Sequence, residues 1–380
     1  MKCQREKFNL QKKYAYLNCA YMSPVSKKVE KAGIGGIHSK RKPFQIAPKD
    51  FFTDSDTLRM LFARLINAKD KNRCAIIPSV SYGMATVAKN MKATKGDNIV
   101  ITGEQFPSNV YPWMELEKKG VTLKFVPAPQ KKGSRGKEWN QKILEAIDNN
   151  TSLVAMGHVH WADGTLFDLE AIRKKSREND ALLVIDGTQS VGALPFDIQV
   201  YEPDALIVAG YKWLMGPYSI GMAYFGPAFD NGVSLEENWI NRKESENFDD
   251  LINYKHEYQP GALRYEVGEH SNFILVPMLI AGLKQILHWT PEGIQEYCGE
   301  LIAPFLDNIK KLGGQIEDPQ YRGNHLIGIR YENLDTVRAK NIFKTHRVSV
   351  SIRGNSIRIA PHVYNDDRDM RKLLKALEEL

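Results

Sequence analysis

Residues 209–217 read Ala209-Gly210-Tyr211-Lys212-Trp213-Leu214-Met215-Gly216-Pro217, and they indicate both the fold and the chemistry. They follow the apolar residues 205–208, which predict a buried strand, and they end in a glycine–proline turn. A second apolar run, residues 181–185, ends on Asp186. Ligands of open α/β sheets bind where strands end, so we expect Lys212 and Asp186 to meet at one sheet edge.

A lysine and an aspartate placed in this way suit one cofactor. The lysine amine can form a Schiff base with an aldehyde, and the carboxylate can keep a pyridine nitrogen protonated. The pair therefore predicts pyridoxal 5'-phosphate, with Lys212 and Asp186 as catalytic residues. An exposed helical lysine and an Asp186-Gly187 turn are the alternative interpretations.

The surrounding chain predicts an α/β fold. Apolar runs typical of buried strands alternate with helical patterns, as in residues 75–77, 85–91, 98–101, 153–156 and 169–177. Fully apolar strands in this alternation favour a mostly parallel sheet between helices. We predict that residues 16–255 form this large domain.

The pattern changes after about residue 255. One long helix is predicted over residues 272–288, and Thr290 and Pro291 begin another that ends before Gly313-Gly314. Short strands and a final helix follow, in residues 326–329, 348–350, 356–359 and 366–380. We predict a smaller α+β domain over residues 256–380, joined by residues 1–15.

Composition limits the classes of function. The 380 residues are 43% hydrophobic and 26% charged, which is ordinary for a globular protein. No apolar run approaches the roughly 18 residues of a membrane helix, and no signal peptide is evident. Four scattered cysteines, Cys3, Cys19, Cys74 and Cys298, favour free thiols in a reducing cytoplasm.

The net charge of +7 favours anionic ligands such as a cofactor phosphate. The basic clusters are dispersed and carry no nucleic-acid motif, so nucleic acid and membrane are not predicted partners.

His158 and His160 would face one side of an extended segment. Because no third ligand is evident, we predict no metal site.

These residues together resemble the class V aminotransferase family, pyridoxal-phosphate enzymes of fold type I. Its members include proteins similar to isopenicillin N epimerase, kynureninase and cysteine desulfurase. The resemblance covers residues 16–365, and its strongest blocks are residues 184–192 and 210–217. It implies the fold of a large domain with a mostly parallel sheet and a smaller C-terminal α+β domain.

The resemblance implies a set of cofactor contacts. Gln189 would bond the ring hydroxyl oxygen, Phe106 would stack on the ring, and Tyr211 would bond the phosphate. The backbone and hydroxyl groups at a predicted helix start suit the same phosphate. These residues are Ser79, Val80 and Ser81, and plain helix capping is the alternative for both serines.

Substrate and subunit contacts follow from the same resemblance. Arg358 alternates with two isoleucines in a strand and would hold a substrate carboxylate with its paired N–H groups. Arg353 is a weaker candidate for that task, and Asn18 and Trp161 complete the expected substrate pocket. The loop containing Glu269, His270 and Ser271 would reach a neighbouring subunit's phosphate, with either of the last two as the contact. The resemblance thereby implies a homodimer.

The reaction type stays open at this point. Cysteine desulfurases need a cysteine in the loop at residues 350–356, where this chain has none, so a persulfide route is disfavoured. We expect an amino-acid-like substrate and transamination, with lyase or epimerase chemistry as the alternative. A catalytically idle homologue is a further alternative, although such a protein would not need Lys212 and Asp186.

Overall fold

The computed structural model describes residues 1–130 and 135–380. Its strands are β1 Ala15–Tyr16, β2 Cys74–Ile77, β3 Asn98–Thr102, β4 Thr122–Val126, β5 Thr151–Gly157, β6 Leu182–Asp186, β7 Ala205–Ala209, β8 Gly221–Phe225, β9 Ile327–Arg330, β10 Val348–Ser349, β11 Ser351–Arg353 and β12 Ser356–Ile359. Its helices are α1 Lys27–Ser39, α2 Asp50–Leu65, α3 Val80–Asn90, α4 Tyr111–Glu117, α5 Arg135–Ala146, α6 Leu169–Arg177, α7 Ile198–Tyr201, α8 Leu275–Trp289, α9 Pro291–Lys311, α10 Thr336–Thr345 and α11 Asp367–Leu377.

The main sheet is mostly parallel, as predicted. Among the described residues its strand order is β2-β8-β7-β6-β5-β3-β4, and only β8 runs antiparallel to its neighbours. Strand β6 shows why its sequence is continuously apolar. Leu183 and Ile185 pack in one core and Val184 packs in the other, because successive side chains point to opposite faces. Helices cover both faces, so both sets of side chains leave water.

The C-terminal part forms a second, smaller sheet. Strands β11, β12 and β9 pair antiparallel, and helices α9, α10 and α11 contribute to the same core. The turn between β11 and β12 contains Gly354, whose φ of +56° suits glycine. This region contains the predicted α+β elements.

Two terminal segments meet in this smaller region. Strand β1 pairs in parallel with β10, and Leu17 and Cys19 exchange backbone hydrogen bonds with Ala360. Helix α8 packs instead against α1 and α2, with Leu279 and Leu283 in the core of the main sheet. The domain division at residue 255 stays a prediction, and the packing of α8 favours a later boundary.

Side-chain hydrogen bonds to the backbone cap the starts of helices α9 and α11. The Thr290 hydroxyl accepts a hydrogen bond from the backbone of Gly293 at 3.1 Å, which caps α9, and Pro291 occupies its first position. Asp366 and Asp369 form a capping box at the start of α11.

Within residues 1–130 and 135–380, no helix combines the length and apolar character needed to cross a membrane.

Candidate active site

A cavity of about 250 Å³ opens where β6 and β7 end and α3 begins. An apolar cavity of roughly 150 Å³ admits a benzene ring, so this one has room for a substituted ring. Nine of the predicted site residues line it: Ser79, Val80, Ser81, Phe106, Trp161, Asp186, Gln189, Tyr211 and Lys212. Residues spread over more than a hundred positions therefore converge, as the strand-end argument predicts.

The Lys212 ammonium group is buried in the cavity wall. Its Nζ lies 5.5 Å from the ring centroid of Phe106 and 5.4 Å from that of Tyr211. The pKa of Lys212 is lowered from 10.5 to about 8, mainly by burial; the charge of Asp186 opposes this shift, and the charges of Arg358 and Arg353 add to it. At this pKa roughly a tenth of the amine is unprotonated at pH 7 and about half at pH 8.

Asp186 lies at the C-terminal end of β6. Its carboxylate accepts a hydrogen bond from the backbone of Thr188 at 3.0 Å. Burial raises the pKa of Asp186, and the Thr188 hydrogen bonds and the charge of Lys212 offset part of that effect. Among the described residues neither Asp186 nor Lys212 forms an ion pair. Within the described residues the cavity thus contains a buried acid and a buried base without ion-pair partners, which fits a ligand that supplies a charge to each.

Gln189 is held on both sides of its amide. Its Oε1 accepts a hydrogen bond from the Trp213 indole at 2.9 Å, and its Nε2 donates to the Ala20 carbonyl at 3.1 Å. His325 contacts the Gln189 carbonyl at 2.7 Å. These contacts fix the side chain in the cavity wall, and they could not be predicted because they join segments that are distant in the chain.

The start of α3 provides an anion site. Ser79 caps the helix by accepting a hydrogen bond from Tyr82 N at 3.2 Å, and its Oγ lies 2.9 Å from that of Ser81. The first N–H groups of a helix have no partner within it, and they attract anions. Capping and anion binding are compatible here, because Ser79, Val80 and Ser81 all line the cavity at the start of α3.

Aromatic side chains form the remaining wall. Phe106 and Trp161 pack edge to face with centroids 5.4 Å apart, and the Trp161 indole donates to the Glu104 carbonyl at 2.6 Å. Tyr211 packs on Tyr218 with centroids 4.6 Å apart. Tyr218, Ser219 and Thr188 also line the cavity and were missed. Thr188 belongs to the sequence block of residues 184–192 that contains Asp186, and its place in that block could have identified it as a site residue.

Arg358 is buried behind Trp161. It donates hydrogen bonds to the Trp161 carbonyl and, at 3.4 Å, to the Ser351 hydroxyl, which itself donates to Asn18 Oδ1 at 2.9 Å. Burial and the charge of Arg353 lower the pKa of Arg358 to about 9. No carboxylate in the described part of the chain pairs with Arg358, so a buried cation lacks a counter-charge.

Two further predicted site residues, His270 and Ser271, do not line the cavity. His270 is buried, with Nδ1 2.9 Å from the Ser55 hydroxyl and Nε2 3.4 Å from Glu266, and Ser271 lines a separate surface cleft. Whether either contacts a neighbouring subunit stays a prediction.

The two strand-end histidines are buried away from the cavity. His158 packs on Phe196 and Tyr201, and His160 Nδ1 lies 3.1 Å from Asp163. Within the described ranges, no three His, Cys, Asp or Glu side chains are arranged to hold a metal ion.

Comparison with known proteins assigns the chain to a family. A family profile described as Aminotransferase class-V matches residues 42–366. The chain belongs to the class-V aminotransferase family. It is therefore an enzyme that uses pyridoxal phosphate, and the predicted cofactor and fold type are confirmed.

The chain is similar to two proteins in sequence and to one solved structure in fold. An uncharacterized aminotransferase, YcbU of Bacillus subtilis, is 26% identical over 325 residues, which cover 85% of this chain and 83% of that protein. A probable cysteine desulfurase of Pyrococcus abyssi is 27% identical over 353 residues, covering 85% and 82%. A solved structure of C-DES, with glycine covalently linked to its PLP cofactor, superposes with a TM-score of 0.87 at 18% identity, covering 99% of both chains.

These comparisons do not separate the reactions within the class-V family. The matches include proteins named as aminotransferases and as cysteine desulfurases. They therefore give no support to the expectation that a desulfurase route is excluded.

The depressed pKa of Lys212 predicts how this class-V family enzyme acquires its cofactor. We expect the rate at which the cofactor-free enzyme takes up pyridoxal phosphate to fall as pH decreases through about 8, because only the unprotonated amine attacks an aldehyde. The measurement is the growth of visible absorption at a series of pH values, with Lys212→Ala as the blank. A rate that keeps rising to pH 10 would show that burial leaves this amine unperturbed.

Proposed function

We propose that this enzyme is an aminotransferase that acts on α-amino acids through Lys212. Arg358 carries the proposal, because it is a buried guanidinium that lacks a described carboxylate partner and lies within electrostatic reach of Lys212. A substrate α-carboxylate would supply the missing charge through two parallel hydrogen bonds. An α-amino acid places its amine next to that carboxylate, and therefore near Lys212.

The proposal gives the cavity residues distinct tasks. Pyridoxal phosphate supplies an aldehyde that amines can attack and a ring that accepts electrons from the α-carbon. Lys212 would hold its aldehyde, Asp186 would keep its ring nitrogen protonated, and Gln189 would bond its ring hydroxyl. Phe106 would pack on the ring, which fits its position 5.5 Å from Lys212 Nζ.

The phosphate would lie at the start of α3. Ser79, Ser81 and the backbone N–H groups of Val80 and Ser81 would donate to it, and the Tyr211 hydroxyl would add a further donor. Burial raises the pKa of Tyr211 to about 12, so its phenol remains a hydrogen-bond donor at neutral pH.

Lys212 has a second task once substrate has displaced it. Its Nζ can then accept the α-proton and return it at another position, which is general acid–base catalysis. A pKa near 8 suits both directions of this transfer at neutral pH. Lyase and epimerase chemistry would use the same residues. An epimerase would return the proton to the α-carbon, and a lyase would expel a substituent from the β-carbon instead.

The positions of the thiols support a reaction without a persulfide. None of the four cysteines lines the cavity, and Cys19, Cys74 and Cys298 are buried. Burial raises the pKa of Cys19 to about 12 and raises those of Cys74 and Cys298 as well. Thiols with raised pKa values make poor nucleophiles.

A half-reaction tests transamination directly. An α-amino acid added without an acceptor should abolish the visible absorption of the loaded enzyme and release one α-keto acid per site. An α-keto acid added afterwards should restore the absorption. Repeated release of ammonia without an acceptor would identify a lyase instead, and inversion of the amino acid alone would identify an epimerase.

Arg358 provides a test of substrate class. We expect Arg358→Lys to raise the amino-acid concentration needed for half-maximal spectral change by about ten- to a hundredfold, because lysine keeps the charge but loses the two-pronged geometry. A simple amine without a carboxylate is the control, and its reaction should change by less than about twofold. An equal effect on both ligands would indicate that Arg358 only supports the wall.

The assembly and location of the enzyme are further parts of the proposal. We propose a homodimer in which His270 or Ser271 approaches the partner's phosphate, in the reducing cytoplasm that free thiols favour. We also propose that residues 1–15 belong with the smaller C-terminal region. Retention of pairing between β1 and β10 after limited proteolysis would support that grouping.

A further inference from the structure

We propose that the substrate carries a second anionic group on its side chain and that Arg353 binds it. This inference rests on the proposed function, in which Arg358 binds the α-carboxylate. It assigns a narrower class of substrate, namely amino acids whose side chain ends in a carboxylate or a phosphate.

The hairpin of β11 and β12 places two guanidinium groups on one face. Ser351 pairs with Arg358, and Arg353 pairs with Ser356, so these four side chains point the same way. Arg353 and Arg358 therefore stand at diagonal positions, whose α-carbons are typically about 7–8 Å apart, within reach of each other's long side chains. Both charges lower the pKa of Lys212, which indicates that both lie near the reacting amine.

Trp161 contacts both arginines. Its carbonyl accepts a hydrogen bond from Arg358, and its ring lies 5.4 Å from the Arg353 guanidinium. Trp161 lines both the cofactor cavity and a neighbouring cleft, which also contains Arg353 and Gln105. A substrate held by Arg358 can therefore extend its side chain past Trp161 to Arg353.

Arg353 has no described counter-charge. It is half-buried and donates to the carbonyl of Ile352 at 2.9 Å, and no carboxylate in residues 1–130 or 135–380 forms an ion pair with it. The other cleft arginines differ, because Arg135 and Arg330 lie 3.4 and 3.5 Å from Asp163. A cation held over an aromatic ring without an acid partner suits an anionic ligand.

The cleft contains charges of both signs. Glu104 and Glu332 line it beside Arg135 and Arg330, so the affinity of an anion held by Arg353 depends on its distance from these carboxylates.

The test uses the cofactor-loaded enzyme and spectral titration with paired amino acids. Aspartate, glutamate and O-phosphoserine carry the anion, and asparagine, glutamine and serine are their neutral counterparts. We expect the acidic set to need concentrations at least about tenfold lower than the neutral set. The order within the acidic set then distinguishes a carboxylate from a phosphate.

Variants separate Arg353 from Arg358. Arg353→Gln should raise the required concentration of acidic amino acids by about ten- to a hundredfold and that of neutral ones by less than about twofold. Arg353→Lys should require a concentration of acidic amino acids between those of the wild type and Arg353→Gln. Arg371→Gln is the matched control, since Arg371 is exposed on α11 and pairs with Asp367.

The outcomes that oppose the proposal are distinct. Equal binding of acidic and neutral amino acids by the wild type, or an equal loss of both in Arg353→Gln, would overturn the role of Arg353 but leave the proposed function intact. If no amino acid changes the spectrum of the wild type, then both the role of Arg353 and the proposed function fail.

Discussion

Lys212→Ala should lower turnover by about a thousandfold or more and should abolish the visible absorption that marks cofactor joined to lysine. The variant loses both the amine that holds the aldehyde and the group that moves the proton, and proton transfer alone contributes roughly 10²- to 10⁴-fold. Steady-state kinetics and absorption spectra of the purified protein measure the two effects.

Two controls show that such a loss is chemical. Lys284→Ala removes an exposed lysine from α8 and should leave both measurements unchanged. The cofactor-free Lys212→Ala protein should melt no lower than the wild type, because the variant removes a buried ammonium that burial destabilises. Retained turnover in Lys212→Ala would instead indicate that another lysine holds the cofactor.

Asp186→Asn should lower turnover by about a hundred- to a thousandfold while leaving the cofactor attached. The substitution keeps the shape and removes the charge, and two unit charges 4 Å apart interact by about 4 kcal/mol at an effective dielectric constant near 20. That energy corresponds to roughly a thousandfold in rate. Kinetics and cofactor content together measure the effect.

Stability provides a second measurement on the same variant. Burial raises the pKa of Asp186 above its ordinary 3.8. The stability that its protonated form contributes is therefore fully present below 3.8 and is lost as pH rises through the folded-state pKa. The cofactor-free wild type should lose stability relative to Asp186→Asn over that range. Asp180→Asn is the matched control, because Asp180 is exposed at φ +53°, which asparagine tolerates. If the free energies of unfolding of the wild type and Asp186→Asn changed in parallel with pH, the charge on Asp186 would not destabilise the folded protein.

The sequence predicted the features that depend on local pattern. Apolar runs located β6 and β7, and their ends placed Asp186 and Lys212 in one cavity. The cap at Thr290 and Pro291 after it located the start of α9, because the required chemistry lies within a few residues. Strands with a weak hydrophobic pattern were not predicted. An example is β4, because most of its residues are half-exposed or exposed.

Contacts between distant segments were not predictable. Neither the indole of Trp213 on Gln189 nor the link from Asn18 through Ser351 to Arg358 has a local pattern. Tyr218 and Ser219 enter the cavity because β8 turns back antiparallel to β7, which periodicity did not indicate. Side-chain direction at such positions depends on tertiary packing, which a single sequence does not display.

The exchange of hydrogen bonds between Leu17, Cys19 and Ala360 has a consequence for biosynthesis. The Ala360 N–H reaches the Leu17 carbonyl at 2.8 Å although the two residues are 343 positions apart (360 − 17), and Ala20 next to this segment holds Gln189. A ribosome releases the first segment long before it makes the second, and contacts of such separation form slowly. The nascent chain can therefore build its main sheet during translation, but Arg358 can take its place beside Trp161 only after the last strands have emerged.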